Sequence, residues 1–265
     1  MFQTNSNKIN FLTFANSSYS NLERIGNQAK QFPFNNIYLC TEKDIPEFIE
    51  KHRDFIKSNK QGFGLWIWKP KIILNILNKM DNGEILVYCD SGIHLNNNGL
   101  DRFYEYINML DNSKDIITFS TNDIYKAQQY VKNDAVMCYW PQFNNELSNV
   151  CYAGLMIIKK TENTLKLISE WLDLCEIYHF LDRHPSTQYP DFSYYIGNDC
   201  DNGLFQLVLS KFNSVVEKIY PDEVNIYNGE MQIAHCSGIS KDLVDWSVLH
   251  KYPFHCRRDS PRYHA

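Results

Sequence analysis

Short apolar runs that alternate with helical stretches are the feature that most limits the fold of this chain. The runs are rich in β-branched and aromatic residues, as buried strands are. The predicted strands cover residues 9–15, 36–41, 84–89, 115–120, 150–159 and 214–221. Because a helix between two strands lets both run in the same direction, the alternation predicts an α/β fold with a mostly parallel central sheet flanked by helices.

The helical stretches between these runs have recognisable starts and apolar faces. Pro46 stands near the first turn of one predicted helix, and Thr161 begins another whose apolar face includes Leu165 and Ile168. The predicted helices cover approximately residues 19–31, 46–56, 70–80, 161–175 and 201–212. The 265 residues contain no internal repeat, low-complexity run or linker, so residues 1–265 are expected to form a single domain.

Charge and hydropathy narrow the class of protein further. The net charge of −5 argues against a nucleic-acid partner, because proteins that bind nucleic acids usually present a basic face. Residues 1–10 are polar, and no run approaches the ~18 apolar residues of a membrane span. We therefore expect no transmembrane segment and a cytoplasmic location (the host cytoplasm if the protein is viral). The 8 cysteines show no CxxC spacing, which favours free thiols over a zinc site.

A carboxylate at the end of an apolar strand is the first candidate functional group. Asp90 directly follows the run at 84–89 and precedes Ser91 and Gly92. Ligands of parallel sheets bind at the carboxyl ends of the strands, where a rigidly held carboxylate suits a metal ion. Asp-Ser-Gly is also common turn chemistry, with the Asp as a cap. Both interpretations remain open from these residues alone.

The segment His235–Lys241 (HCSGISK) is the second candidate. A neutral imidazole nitrogen can bind a metal, a glycine lets backbone approach a phosphate, and a lysine supplies a positive charge for it. A single histidine is more often a structural residue, so this segment by itself indicates little. Its meaning depends on what accompanies it along the chain.

Five segments in the same order make the chain similar to glycosyltransferase family 8, the glycogenin and bacterial lipooligosaccharide galactosyltransferase group. They correspond to that family's opening strand, its Asp-x-Asp, a small-residue strand, an Asp-Gln-Gly-like segment and a His-x-x-Gly-x-x-Lys. In this chain they are residues 11–19, 90–92, 152–155, 201–206 and 235–241. Gly62–Pro70 (GFGLWIWKP) also resembles a Gly-Tyr-Gly-Tyr-Trp-x-Trp-Lys-Pro block of poorly characterised viral and bacterial glycosyltransferase-like proteins.

The resemblance implies a GT-A (Rossmann-like) fold and a hexosyl- or pentosyltransferase that acts with retention. The implied donor is a nucleotide-diphosphate sugar, with a UDP-sugar expected, and the acceptor is a glycan, glycoprotein or lipid. Asp90 and His235 are the implied ligands of Mn²⁺ or Mg²⁺, and Asp201 with Asn202 the implied catalytic residues. The implied donor-binding residues are Thr13, Phe14, Tyr19, Trp68, Lys69, Ser91, Gly154, Gly238 and Lys241.

One departure from the family concerns the metal. Gly92 stands where the family has the second carboxylate of Asp-x-Asp. Asp90, His235, two diphosphate oxygens and waters can still fill an octahedral shell, although metal binding without nucleotide should be weaker. A metal-independent or inactive relative is the alternative.

Sugar transfer requires that the charge of the departing diphosphate be neutralised, for which the metal, Lys241 and Lys69 are the candidates. Asp201 is the candidate for the polar group near the anomeric carbon, or for a base if the enzyme inverts, while a helix N-cap is its structural alternative. Trp66 and Trp68 can stack on a sugar or base, or pack in the core.

Two other classes remain possible from the sequence. A nucleotidyltransferase of nucleotide-sugar synthesis shares the α/β architecture, but residues 15–18 lack the glycine-rich basic loop expected after its first strand. A non-catalytic sugar-binding relative would keep the aromatic residues without needing Asp90, His235 and Lys241 together.

Overall fold

A computed structural model describes residues 8–18, 22–110, 114–120, 126–145, 148–219 and 251–255. The strands are β1 (Ile9–Phe14), β2 (Asn36–Cys40), β3 (Ile85–Cys89), β4 (His94–Leu95), β5 (Ile116–Ser120), β6 (Cys151–Lys159), β7 (Val216–Ile219) and β8 (Phe254–His255). The helices are α1 (Leu22–Ala29), α2 (Pro46–Lys51), α3 (Arg53–Ser58), α4 (Gly62–Leu65), α5 (Trp68–Lys79), α6 (Leu100–Met109), α7 (Asn133–Tyr139), α8 (Glu162–Cys175), α9 (Tyr178–Leu181) and α10 (Cys200–Lys211).

Six of the strands form one central sheet in the order β2-β1-β3-β6-β5-β7. β1 runs parallel to β2 and β3, and β5 runs parallel to β7. β6 is antiparallel to both of its neighbours, β3 and β5. The predicted α/β fold with a mostly parallel sheet flanked by helices is therefore confirmed. The reversed direction of β6 was not predicted.

Alternate residues of the buried strands face two separate apolar layers. Leu12 and Tyr88 face one layer, whereas Phe11 and Val87 face the other. Helices α5, α8 and α10 cover the first layer, and α1 and α6 cover the second. A strand that is apolar on both faces needs such cover on both sides, which explains the continuous apolar runs of the sequence. Each fully buried large side chain contributes roughly 1.5–3 kcal/mol of apolar stabilisation.

One difference from the predicted helices has a local cause, and one predicted helix start is confirmed. The helix predicted from Pro46 is divided at His52, whose φ of −104° and ψ of 14° end α2 before α3 begins. The predicted start of a helix at Thr161 is confirmed, since the Thr161 hydroxyl accepts a hydrogen bond from the backbone N–H of Thr164 at 3.2 Å and caps α8.

Within the described ranges, none of the helices combines the length and the apolar character that a membrane span requires.

A long segment without regular structure, residues 182–199, is held in place by buried polar side chains. Asp134 of α7 accepts hydrogen bonds from the backbone N–H groups of Thr187, Gln188 and Tyr189 at 2.6–3.0 Å. His179 lies 2.6 Å from the same carboxylate. The segment therefore depends on one buried anion, just before α10 begins. Burial alone would raise the pKa of Asp134, but these hydrogen bonds hold it well below its usual range.

We expect Asp134→Asn to lower the free energy of unfolding by about 2–4 kcal/mol at pH 7, because charge-assisted hydrogen bonds are lost from a buried site. A depressed carboxyl pKa stabilises the fold above the unfolded value of about 3.9 and loses that effect as the pH falls below it. Urea denaturation should therefore show a difference between parent and variant that narrows from pH 7 to about pH 3. The matched control is Asp173→Asn on the exposed face of α8, which should change stability by less than about 0.5 kcal/mol. Equal losses in the two variants would contradict the assignment.

Candidate active site

Three charged side chains from different elements meet at the carboxyl end of β3. Asp90 directly follows β3, Lys69 lies in the first turn of α5, and Asp201 lies in the first turn of α10. Lys69 Nζ is 3.0 Å from Asp201 Oδ2 and 3.4 Å from Asp90 Oδ1. These three residues are called the Lys69 cluster below. The sequence predicted a role for each of them but not the contact between Lys69 and Asp201.

The members of the Lys69 cluster differ in their access to solvent. The side chains of Lys69 and Asp201 are 4% and 3% exposed, whereas that of Asp90 is 20% exposed. Lys69 is the nearest charge to Asp201 Oδ2, yet no hydrogen bond of acceptable geometry reaches this oxygen. Asp90 is therefore the member of the cluster that solvent reaches, whereas Lys69 and Asp201 are both enclosed.

Burial and mutual attraction act in opposite directions on the protonation of the cluster. Burial lowers the pKa of Lys69, but the carboxylates of Asp201 and Asp90 more than offset this and raise it, so the ammonium stays protonated. Burial raises the pKa of Asp201 to about 7, although the Lys69 ammonium opposes the rise. Lys69 is thus a permanent buried cation, and Asp201 titrates near neutral pH.

Two tyrosines and one backbone carbonyl fix the orientation of Asp90. The Tyr88 hydroxyl donates a hydrogen bond to Asp90 Oδ1 at 2.7 Å, and the Tyr152 hydroxyl lies 3.5 Å from Oδ2. The Asp90 N–H donates to the carbonyl of Gly154 at 2.8 Å. Burial and the Asp90 carboxylate raise the pKa of Tyr88 well above its usual value, so this phenol remains a donor. Sequence reasoning missed both tyrosines, because their alternation within strands resembles core packing.

The side-chain amides of α10 join this helix to β6. Asn202 Oδ1 accepts from the Ala153 N–H at 2.8 Å, and Asn202 Nδ2 donates to Asp199. Gln206 accepts from the N–H of Cys151 and donates to its carbonyl, both at 2.7 Å. Such paired bonds replace the ladder that a neighbouring strand would supply. These bonds fix the position of Asp201 relative to β6. Asn202 therefore contributes to the site by holding the start of α10 against this strand.

The turn after Asp90 is held by a residue that the sequence did not single out. Arg24 of α1 donates to the carbonyls of Ser91 and Ile93 at 2.5 and 3.0 Å. The predicted donor-binding residue Ser91 is half-buried in this turn. An arginine can satisfy several carbonyls at once because its guanidinium donors form a fixed fork. Arg24 therefore supports the segment that carries Asp90.

The predicted donor-binding residues of β1 lie inside the protein. Thr13 is fully buried, and its hydroxyl has no hydrogen-bond partner. Phe14 stacks on Trp68 with ring centroids 3.8 Å apart, and the two side chains are 3% and 5% exposed. The Trp68 Nε1–H donates to the Gly62 carbonyl at 3.0 Å. Trp68 is thus packed in the core, and a direct contact with donor stays a prediction for these three residues.

The short element α4 and the following Trp66 form a left-handed turn and not a right-handed helix, which is rare for L-amino acids. Every residue from 62 to 66 has a positive φ, between 54° and 86°. The N–H groups of Leu65 and Trp66 bond to the carbonyls of Gln61 and Gly62, as in a helix of opposite hand. Gly62 and Gly64 adopt this conformation freely, whereas each non-glycine residue is strained by roughly 1–2 kcal/mol.

Four predicted site residues, Tyr19, His235, Gly238 and Lys241, lie outside the described residues. The described ranges contain no group of three or more His, Cys, Asp or Glu side chains that could hold a metal ion. Asp90 nevertheless fits the chemistry of Mn²⁺ or Mg²⁺, because it is a partly exposed carboxylate at the carboxyl edge of the sheet. The remaining ligands of such an ion would have to come from substrate, water and the predicted His235.

No protein-family model and no curated protein matches the chain. A solved glycosyltransferase involved in the glycosylation of the major capsid of PBCV-1 is similar, with a TM-score of 0.52, 12% identity and coverage of 96% of both chains. This likeness shows the fold, and it confirms the predicted GT-A type.

Two further solved structures resemble the chain less. Mouse xyloside xylosyltransferase 1 has a TM-score of 0.42 and 10% identity, covering 82% of this chain and 74% of that one. CMP:2-keto-3-deoxy-manno-octonic acid synthetase in complex with CTP has a TM-score of 0.38 and 10% identity, covering 80% and 89%. Scores this low carry no argument about function, and the resemblance to family 8 stays a prediction.

We expect Gly154→Ala to displace Asp90 and to destabilise the fold by about 1–3 kcal/mol, the usual effect of overpacking. A Cβ at this position would lie 2.6 Å from Asp90 Oδ2 and 2.3–2.5 Å from the end of the Tyr152 ring. The measurement is the free energy of unfolding, obtained by chemical denaturation of the parent, of this variant and of a control variant. The control is Gly197→Ala, whose Cβ would meet nothing within 4 Å. Parental stability in both variants would contradict the close approach at Gly154.

Proposed function

We propose that the chain is a glycosyltransferase that moves a sugar from a UDP-sugar to a glycan, protein or lipid acceptor with retention. The Lys69 cluster is the observation that carries this proposal. It places a buried, protonated lysine and a partly exposed carboxylate at the carboxyl edge of a mostly parallel sheet. The similarity in fold to a solved glycosyltransferase supports it.

Lys69 supplies a fixed positive charge for the departing diphosphate. In the proposed step the acceptor oxygen bonds to the anomeric carbon on the face that the diphosphate leaves, the bond to the diphosphate breaks, and the hydroxyl proton passes to a diphosphate oxygen. Negative charge then develops on the leaving group. A preorganised cation in a water-poor site stabilises that charge without having to reorient, and such electrostatic stabilisation is usually the largest single contribution to catalysis.

Asp201 acts through Lys69 in this scheme, as a positioning residue. Its carboxylate is buried, lies 3.0 Å from Lys69 Nζ and keeps the lysine protonated. Asn202 and Gln206 hold the start of α10 against β6, which fixes the carboxylate in turn. The catalytic role inferred from the family for Asp201 is therefore proposed here as control of the lysine.

Asp90 and His235 would hold the divalent ion, Mn²⁺ or Mg²⁺. Such an ion, when bound, supplies further positive charge at the diphosphate. The Asp90 side chain is 20% exposed, which gives an ion from solvent access to it. The predicted phosphate-binding Lys241 completes the set of cations.

The direct test is incubation of the chain with a panel of UDP-, GDP- and CMP-sugars and Mn²⁺, followed by detection of slow release of free sugar and nucleotide. A parallel incubation with nucleoside triphosphate and sugar 1-phosphate detects nucleotide-sugar synthesis instead. Donor hydrolysis supports the proposal. Pyrophosphate release in the parallel incubation would show a nucleotidyltransferase, and sugar binding without any turnover would show a non-catalytic relative.

We expect Lys69→Met to lower the rate of donor turnover by roughly 10²–10³-fold, the effect of losing one electrostatic stabiliser. Lys71→Met, on the same helix and only half-buried, is the control that should retain the parental rate. Because Lys69→Met leaves a buried carboxylate unpaired, it can also destabilise the fold by about 3–5 kcal/mol. The double variant Lys69→Met with Asp201→Asn removes both charges, and turnover by this folded variant at the parental rate would contradict the role of Lys69.

We expect Asp201→Asn to change the pH dependence of kcat. Because its pKa is raised to about 7, Asp201 is ionised above that pH. As the pH falls through this value the carboxylate is protonated, and its ion pair with Lys69 is lost. The parent should therefore lose activity below about pH 7, and the variant should show a lower rate with this acidic limb removed. A purely structural Asp201 would alter stability and leave the shape of the profile unchanged.

A further inference from the structure

Among the described residues, Trp66 is an aromatic residue that borders the Lys69 cluster and retains access to solvent. Its ring centroid lies 5.9 Å from Lys69 Nζ. The side chain is half-buried, whereas Trp68, two residues later, is buried beneath Phe14. The sequence allowed either tryptophan to meet a ligand. The structure leaves this possibility to Trp66, which was not among the donor-binding residues inferred from the family.

The backbone around Trp66 is strained. Trp66 has a φ of 60°, and Phe63 and Leu65 are also left-handed. Strained conformations of this kind persist only where the surroundings define them, and they cluster at functional sites. Leu65 is explained by burial in the core. Trp66 packs against the same core but stays only half-buried, so burial accounts for its conformation less completely.

The position of the indole is fixed from below. A Cβ on Gly62 would lie 2.3 and 2.4 Å from the ring-fusion atoms Cδ2 and Cε2 of Trp66, so the ring lies directly on the Gly62 backbone. Trp68 Nε1 binds the carbonyl of the same glycine. A second anchor joins this region to the segment 182–199, because Arg183 donates to Gln61 at 2.8 Å. An aromatic ring that is rigidly supported and still accessible loses little entropy when it binds a ligand.

We propose that Trp66 holds the sugar ring of the donor by contact with its apolar face, while Lys69 serves the attached diphosphate. Aromatic faces suit the C–H face of a pyranose, and a sugar attached to a diphosphate must lie within a few ångströms of the cation that binds the diphosphate. Trp66 satisfies this relation to Lys69. The proposal rests on the proposed function and names a substrate-positioning residue for it.

The test compares the affinities of the full chain for UDP and for a UDP-sugar that the parent hydrolyses, measured by calorimetry with Mn²⁺ present. Trp66→Asn is the informative variant, since asparagine tolerates a positive φ and removes the ring without adding backbone strain. We expect roughly 10-fold weaker binding of the UDP-sugar, the loss of one stacked contact, with UDP binding changed less than about 2-fold. Trp66→Phe should fall between parent and Trp66→Asn.

Trp140→Asn is the control, a second half-buried tryptophan at the end of α7. It should leave the ratio of the two affinities unchanged. Equal weakening of UDP and UDP-sugar by Trp66→Asn, or no weakening of either, would overturn the role of Trp66 alone. A parent chain that binds neither ligand would overturn the proposed function as well, so the two failures are distinguishable.

Discussion

The burial of one lysine between two carboxylates is the interaction on which the rest of the site depends. A lone ammonium ion at 4% exposure would be strongly destabilising, so Lys69 requires Asp201 and Asp90 within ion-pair distance. This requirement ties together three elements that are distant in sequence, namely the start of α5, the end of β3 and the start of α10. The same contact that compensates for desolvation also fixes the position of the Lys69 ammonium group.

The sheet and α10 then determine the position of Asp201, and through it the position of the Lys69 ammonium group. β6 runs against its neighbours, and its backbone binds the amides of Asn202 and Gln206 rather than a further strand. The Trp171 Nε1–H donates to the carbonyl of Asp201 at 2.9 Å, which adds α8 to the same support. Asp201 is thus held by main-chain and side-chain bonds on two sides. A positioning role is consistent with this rigidity, because a group that controls another must not itself move.

How far the sequence predicted the molecule follows from what each pattern encodes. Buried strands have continuous apolar runs whatever their direction, so β1 and β3 were predicted but the reversal of β6 was not. Asp90 was found because a charge after an apolar run is conspicuous, whereas the contact between Lys69 and Asp201 arises only from tertiary packing. The left-handed conformation of residues 62–66 was not predicted, because the sequence there shows two glycines but does not specify the hand of the backbone. The predictions for His235 and Lys241 lie outside the described residues and stay predictions.

The charge balance of the Lys69 cluster also bears on the glycine at position 92. With both carboxylates ionised, two negative charges and one positive leave a net charge of −1. The pKa of Asp201 of about 7 moves this value part of the way towards zero at neutral pH. A divalent cation on Asp90 would make the total positive and would so add to the attraction of Lys69 for a diphosphate. A second carboxylate at position 92 would work against that change of sign. The second carboxylate of the cluster lies instead on α10, where it is buried against Lys69, and Asp90 is the partly exposed acid of the cluster.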